Sequence, residues 1–340
     1  MQMKTMQNTK PNLFRANLPL IGVILALAVA PFLVAIFDGQ SVADVFASET
    51  GNAKFVQGLL IEIFILAVYA ISYDLIMGVT GLLSFGHAMY FGVGAYLTGI
   101  MLKSFGWDLL PTLGLVMVAG VVQALLFSVV LPRVQGLTFA LVTLGMAVVF
   151  HIVIRSRELG EYTGADVGLQ GVVTPAFISP ASERFTFYIV ALVFMFLVYL
   201  LYKRFVDSPT GRVCIAIREN EARAKMLGYN TFYFKVVALT ISSITAALAG
   251  ALHALFQPIV SPDVASLAFT ISALLMILIG GVGTLSGALI GAGIFKLLTY
   301  GLDRFFGENA TVIIGLVYIG IVLFLPFGIV GTWRGRRREG

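Results

Sequence analysis

Residues 203–235 read KRFVDSPTGRVCIAIRENEARAKMLGYNTFYFK and form the one long polar interruption in a chain whose other segments are mostly apolar. The segment carries seven Lys or Arg residues against Asp207, Glu219 and Glu221. In a membrane protein, short loops rich in positive charge stay in the cytoplasm during insertion. This segment therefore sets the orientation of the fold, and it is long enough to contact another protein.

The composition is that of a polytopic membrane protein. Hydrophobic residues make up 59% and charged residues 11% of the 340 residues, whereas soluble domains carry about 25% charged residues. The net charge of +5 comes from basic residues at loop ends and near the C terminus, which membrane topology explains without a nucleic-acid partner. The single cysteine, Cys214, excludes an internal disulfide, and the three histidines show no metal-ligand spacing.

Apolar segments close to the ~20 residues that span a bilayer predict an all-α fold, a polytopic membrane helix bundle of about 8–10 transmembrane segments with glycine-broken helices. Taking 82–102 as one span and 267–300 as two gives about ten, and the whole chain, 1–340, is predicted to be one transmembrane domain. The first apolar run is longer than the apolar part of a secretory signal, so we expect it to be retained. The clear segments are 18–37, 55–77, 110–131, 136–154, 185–202, 234–256 and 311–329.

Charge predicts the topology. An even number of spans places both termini on one side, and the basic residues favour the cytoplasm for both termini and for the 203–235 loop. The 155–184 segment then becomes the largest external loop, although its Arg155 and Arg157 run against the charge rule. The basic residues predicted inside also include Lys4, Lys10, Arg15, Arg133, Arg334, Arg336, Arg337 and Arg338; the acidic residues predicted outside are Asp38, Asp44, Glu49, Glu158, Glu161 and Asp166.

Two similar glycine phrases break the apolar segments, GVTGLLSFG at 78–86 and GGVGTLSG at 280–287. Each is followed by a helix of small residues, which indicates an internal duplication. Partly unwound helices line the path in membrane transporters, whereas small residues also let helices pack closely; the two interpretations are compatible. The candidate path residues in these phrases are Gly78, Gly81, Ser84, Gly86, Gly280, Gly281, Gly283, Ser286 and Gly287.

Ionisable residues inside membrane spans are functional candidates, because burying a charge in lipid is costly. Glu62 lies about eight residues inside its span, so we expect it to face a path or another subunit. Asp74 and His87 lie near predicted span ends, where hydration lowers the free-energy cost of an ionisable side chain. The side chain of Lys296 can snorkel to the membrane surface. Glu62 and Asp74 point roughly 120° apart on a helix. They therefore form no paired acid–base site.

Known catalytic and phosphate-binding motifs are missing from the sequence. It holds no GxxxxGK[ST] loop for ATP and no HExxH, GxSxG or CxxC phrase. We therefore predict no catalytic residue, no metal site and no directly bound cofactor.

The polar loop carries its own helix signals. Ser208-Pro209 is typical of a helix start, with serine as the N-cap and proline at the first helical position. Gly228 is well placed as a C-terminal cap. These signals predict a short cytoplasmic helix at about 219–227.

The predicted helix is amphipathic. Ala222 and Met226 share one face, and Glu219 can pair with Arg223 at the same spacing. Such a segment lies on anionic lipid or docks in the groove of a partner protein, and the small apolar face favours docking. The candidate docking residues are Arg218, Glu219, Glu221, Ala222, Arg223, Met226 and Gly228.

The loop SPTGRVCIAIRENEARAKMLGYNTFYFKVVAL, followed by ITAALAGALHA and ISALLMILIGGVGTLSGALIGAGIF, resembles the permease subunits of branched-chain amino acid ABC importers of the LivM type. The stretch YDLIMGVTGLLSFGHAMYFGVGAYLTGIM is similar to that family in spacing, and the likeness covers about residues 60–330. One departure is Thr163-Gly164-Ala165, where members commonly show Thr-Gly-Gly. Another is Gly228, which lies one residue later after Glu221 than in the usual coupling motif.

The resemblance implies a permease subunit that translocates branched-chain or related small amino acids, delivered by a periplasmic solute-binding protein. It implies pairing with a LivH-type permease, and two cytoplasmic ATPase subunits that use ATP and engage the docking residues of the polar loop. The location would be the bacterial inner membrane, with both termini in the cytoplasm. The predicted topology puts residues 155–184 and 258–266 outside, and we expect them to form much of the surface that receives the binding protein.

Other functions remain open at this point. Permeases for urea or short amides share this permease type. A stand-alone secondary transporter needs ion-coupling residues near the midplane, and only Glu62 qualifies. A membrane scaffold without transport activity would explain the docking loop but not the paired glycine phrases.

Overall fold

The computed structural model describes residues 13–39, 45, 51–134, 136–324 and 328–332, and these form a helical bundle. Six of the described helices are long and apolar enough to cross a membrane, which confirms the predicted fold class. The α-helices run, in order, α1 Leu13–Phe37, α2 Asn52–Asp74, α3 His87–Lys103, α4 Leu109–Ser128, α5 Leu137–Arg155, α6 Gly160–Thr163, α7 Arg184–Asp207, α8 Pro209–Met226, α9 Thr231–Phe256, α10 Leu267–Gly280, α11 Leu285–Phe306 and α12 Ala310–Phe324.

Helix α2 is the centre of the bundle. It packs against α1, α7, α9, α10 and α11, and nearly every residue from Ile61 to Asp74 is buried. A π-helical turn, Leu75–Val79, continues it, and the backbone then leaves helical geometry at Gly81, whose φ is +79°. Helix α3 therefore begins at His87, five residues later than the predicted span 82–102.

Small residues let α3 and α9 cross with their backbones in contact. A Cβ atom on Gly94 would lie 1.9 Å from the Ala247 carbonyl oxygen, and one on Gly250 would lie 2.0 Å from that of Phe91. No larger residue fits at either position. This contact is the close packing that glycine provides between membrane helices.

The segment 267–300 divides as predicted into two helices, α10 and α11, with the second glycine phrase between them. Helix α10 ends at Gly280, and Gly281 and Gly283 both have positive φ, +117° and +75°. The turn therefore depends on glycine, because side chains disfavour that region of φ.

The two loops predicted to lie outside are joined by a short antiparallel pair, β1 Leu169–Gln170 and β2 Ile259–Val260, with Leu169 opposite Val260. Tyr96 of α3 donates a hydrogen bond to the Val260 carbonyl oxygen at 3.1 Å. The connection includes 3-10 turns at Arg157–Leu159, Ala165–Val167, Ala176–Ile178 and Pro262–Ala265. The basic residues near the two chain ends, together with Asp44 and Glu49, lie outside the described residues or have no described side chain.

Candidate functional site

The two predicted caps, Ser208-Pro209 and Gly228, lie at the two ends of helix α8. The Ser208 hydroxyl accepts a hydrogen bond from the Gly211 amide at 3.2 Å, with Pro209 at the first position. At the other end Gly228 has φ +89° and donates to the Lys225 carbonyl oxygen at 2.9 Å. Both predicted caps are confirmed.

The interior of α8 differs from the prediction, because Asn220 interrupts it with φ −160° and ψ 98°. The Asn220 side-chain oxygen accepts from the Arg223 amide at 2.9 Å and so caps the second part. This part of the polar loop therefore consists of a helix that begins at Pro209, a break at Asn220 and a short terminal turn. The predicted single helix at 219–227 is wrong in this respect.

The break also changes the charge pairing. The expected pair of Glu219 with Arg223 is not formed; Glu221 instead contacts Lys235 at 2.7 Å and Lys225 at 3.2 Å. Thr231 donates to the same carboxylate at 3.0 Å. Partial burial acts to raise the pKa of Glu221, but the hydrogen bonds and the charge of Lys235 outweigh it and hold the pKa below its ordinary value. Glu221 therefore ties the end of α8 to the start of α9.

Beyond this ion pair the segment presents apolar surface to solvent. Met226 is 81% exposed and Leu227 is 71% exposed, and Ala222 is exposed beside them. Exposed Arg223 and Lys225 border this surface. We call the exposed apolar surface of Ala222, Met226 and Leu227 the knob.

Arg218 joins the polar loop to both glycine phrases. Its guanidinium donates a hydrogen bond to the Gly78 carbonyl oxygen. A Cβ atom on Gly81 would lie 3.1 Å from the Arg218 Cα, and one on Gly283 would lie 2.7 Å from Arg218 Nη1 and 2.8 Å from the Gly78 oxygen. We call this cluster of Arg218, Gly78, Gly81 and Gly283 the glycine junction. The sequence placed Arg218 in one group and the glycines in another, and the fold brings them together.

Asp74 completes the glycine junction, and sequence reasoning missed it. Its side chain is fully buried, and Oδ1 accepts a hydrogen bond from the Gly283 amide at 2.7 Å. The expectation that Asp74 is hydrated at a span end is therefore wrong, as it is for the equally buried His87, whose Nε2 lies 2.9 Å from the Ser72 hydroxyl. The position of Asp74, one turn before Gly78, was the available signal, because a carboxylate there can reach a broken backbone nearby.

The other predicted path glycines serve helix packing in this chain. A Cβ on Gly280 would lie 1.8 Å from the Gly287 oxygen, and one on Gly86 would lie 2.3 Å from the Thr143 oxygen. Gly281 is buried at the turn. Ser84 is also buried, with its hydroxyl accepting from the Gly86 amide at 3.3 Å. These residues therefore hold the broken segments in place.

Glu62 lies apart from the glycine junction. It forms an ion pair with Lys296 of α11 and accepts a hydrogen bond from Gln257 Nε2 at 2.9 Å. Lys296 therefore pairs inside the bundle instead of snorkelling. Ser286, also predicted for the path, lines a separate cavity of about 390 Å³ whose other walls are almost entirely apolar. The described residues hold no cluster of side chains that suits a metal ion.

Comparison with known proteins agrees with this architecture. Residues 55–325 match the family model described as branched-chain amino acid transport system / permease component. The chain is 26% identical over 294 residues to the high-affinity branched-chain amino acid transport system permease protein LivM of Salmonella typhimurium, covering 78% of this chain and 68% of the relative.

Two further relatives bear on the subtype. The LivH permease protein of the same organism is 27% identical over 282 residues, covering 78% of this chain and 91% of the relative. A probable LivM permease protein of Methanocaldococcus jannaschii is 30% identical over 168 residues, covering 48% of each chain. No solved structure matches the chain. The nearly equal identities to the LivM and LivH relatives do not separate the two types.

The family match runs from the first turn of α2 to the end of α12, and it includes the glycine junction and the polar loop that the geometry connects. The chain therefore belongs to the branched-chain amino acid transport permease family and is a multi-pass membrane subunit of an ABC transport system without an ATPase domain of its own.

Proposed function

We propose that this chain is the LivM-type permease subunit of a bacterial inner-membrane importer for branched-chain or related small amino acids. It pairs with a LivH-type permease, two cytoplasmic ATPases supply energy from ATP, and a periplasmic solute-binding protein delivers the substrate. Both chain ends lie in the cytoplasm. The family match and the quoted loop and glycine blocks support this assignment.

The observation that carries the proposal is the contact of Arg218 with the glycines of the glycine junction. The side chain starts on the polar loop, donates a hydrogen bond to the Gly78 carbonyl oxygen of the first glycine phrase, and lies beside Gly283 of the second. Movement of α8 by the ATPases is transmitted through this contact to the ends of α2 and α10. Glycine at 81 and 283 leaves the backbone free to change conformation at that point.

The exposed knob of Ala222, Met226 and Leu227 is the surface that docks into the ATPases. Its apolar area is small and bordered by Arg223 and Lys225, which suits a groove with an acidic rim. The Glu221–Lys235 ion pair fixes this knob to α9. A displacement of the knob is therefore transmitted to the membrane helix α9 as well as to Arg218.

The outer surface formed by 155–184 and 258–266 receives the binding protein. The β1–β2 pair makes these two loops one structural unit. The exposed Arg155–Asp166 pair, with Nε and Oδ1 2.6 Å apart, lies on it. Charges at the rim of an interface mainly set association rate and register, which suits a partner that binds and leaves in each cycle.

The test is uptake by the complete importer reconstituted in proteoliposomes, with binding protein outside and ATP inside. We expect ATP-dependent uptake of labelled leucine. Uptake of urea instead of leucine would assign the related amide-importer function. Uptake driven by an ion gradient without ATP would overturn the importer assignment in favour of a secondary transporter.

A further inference from the structure

A half-open cavity of about 240 Å³ lies between α2, α7, α9 and α11, and its walls carry charges of both signs. Glu62 comes from α2, Arg184 from the start of α7 and Lys296 from α11. The remaining walls are mostly apolar and aromatic. They are formed by Phe55, Gly58, Leu59, Phe256 and Tyr300.

The charged side chains are held in place yet remain accessible. Glu62 pairs with Lys296 and also accepts the hydrogen bond from Gln257 at 2.9 Å. The side chains of Lys296 and Glu62 keep 28% and 26% of their surface exposed. An ion pair in a membrane bundle needs a compensating role, because desolvating two charges offsets much of their attraction.

Aromatic rings shape the rest of the cavity. The Arg184 guanidinium carbon lies 5.5 Å from the centroid of the Phe256 ring, which restrains this cation by a cation–π contact. The rings of Phe55 and Tyr300 lie on another wall, with their centroids 5.2 Å apart and their planes tilted by 45°. The walls therefore offer a ligand both charged groups and apolar surface.

The cavity lies far from the glycine junction. Glu62 precedes Gly78 by 16 residues on the same helix, a separation of about 24 Å along the axis. Its other charged walls come from the start of α7 and the middle of α11, and Gln257 follows the end of α9. The cavity is therefore near the end of the bundle opposite the polar loop.

We propose that this cavity is an entry site for the zwitterionic head of a small amino acid. The ligand's ammonium group binds Glu62, its carboxylate binds Lys296 and Arg184, and its side chain lies against Leu59 and Phe256. Pockets for drug-sized molecules measure about 300–1,000 Å³, so a cavity of 240 Å³ fits a smaller molecule. The inference rests on the proposed function in that the ligand is the transported amino acid.

The test is protection of an introduced cysteine by ligand, measured in the complete importer in nanodiscs. Leu59→Cys places the probe in the cavity wall, and Cys214→Ala removes the native thiol. Leu60→Cys is the matched control, because Leu60 is the next residue on α2 but lines the separate apolar cavity. We expect L-leucine to slow maleimide labelling at position 59 and to leave position 60 unchanged.

Two variants test the charges. Lys296→Met and Glu62→Gln, each added to the Leu59→Cys protein, should raise the leucine concentration needed for protection about tenfold or more, because each removes a charged hydrogen-bonding partner. Lys296→Arg should retain most of the protection. Anionic lipid that slows labelling while leucine has no effect would overturn the proposal in favour of a lipid headgroup site.

Failure of this inference is distinguishable from failure of the proposed function. A Leu59→Cys importer that takes up leucine, yet shows no protection and an unchanged KM for leucine in the Glu62→Gln and Lys296→Met forms, would contradict the entry site alone. Absence of leucine uptake by the wild-type importer would contradict the function itself.

Discussion

Arg218→Ala is the most direct test of how the polar loop acts on the membrane helices. The substitution removes the guanidinium that donates to the Gly78 carbonyl oxygen, and Gly78 is buried. A hydrogen bond from a charged group contributes about 1.5–3 kcal/mol. Because about 1.4 kcal/mol corresponds to a factor of ten, the loss shifts the population of the conformation that contains this contact by about 10- to 150-fold.

The assay is the number of ATP molecules hydrolysed per leucine transported in proteoliposomes. We expect Arg218→Ala to lower uptake about tenfold or more while ATP hydrolysis continues, so that the ratio rises. The ATP-to-leucine ratio of Arg218→Lys should lie between those of the wild type and Arg218→Ala, since lysine keeps the charge but not the planar fork of donors. Arg212→Ala is the matched control, because Arg212 is exposed on the same helix.

A melting temperature measured on each variant separates transmission from simple stability. If Arg218 only stabilises the fold, Arg218→Ala lowers the melting temperature, and the protein that remains folded keeps the wild-type ratio of ATP to leucine. That result, or uptake equal to wild type in a stable Arg218→Ala importer, would refute the reasoning.

Three further predictions follow from local geometry. Gly280→Val should abolish stable insertion, since a Cβ there would lie 1.8 Å from the Gly287 oxygen, whereas Gly145→Val, with open space around it, should purify in normal yield; equal yields would contradict close packing at Gly280. Ala165→Gly should raise the melting temperature, because Ala165 has φ +49° and a left-handed residue other than glycine costs about 1–2 kcal/mol; an unchanged or lower value would argue against strain there. Glu221→Gln should lower the melting temperature at pH 7, and the difference from wild type should shrink as the pH falls below about 4, because a carboxyl with a depressed pKa stabilises the fold above its ordinary pKa and loses that effect as it protonates; a difference that is constant with pH would exclude this origin.

The caps of α8 were predictable because they depend on neighbouring residues. Ser208 and Gly228 act on backbone atoms within three residues along the chain, so residue type and spacing were sufficient. The predicted Glu219–Arg223 ion pair is not formed, and the reason is also local. Its prediction assumed helical geometry through Asn220, and the side chain of Asn220 instead caps a new turn.

Contacts between segments that are distant in the chain could not be predicted from neighbouring residues. The prediction that Asp74 is hydrated was wrong, and the partners of Glu62 were not predicted. The distance of a residue from a span end does not indicate which helix covers that residue. Asp74 Oδ1 accepts a hydrogen bond from the Gly283 amide, 209 positions along the chain, and Gln257 contacts Glu62 across 195 positions. Nothing in the sequence near either carboxylate identifies those partners.

Composition and neighbouring residues were sufficient to predict the membrane class, the apolar helices, the two glycine breaks and the capped polar loop, because each arises from composition or from residues close together in the chain. The packing of the helices was needed to show that Arg218 lies beside both glycine phrases and that Glu62 shares a cavity with Arg184 and Lys296. The physical reason is that hydrophobicity and capping act locally, whereas the partner of a buried charge is set by which helices pack together. In this bundle, glycines such as Gly94 and Gly250 let helices approach closely, and this packing influences which groups come into contact.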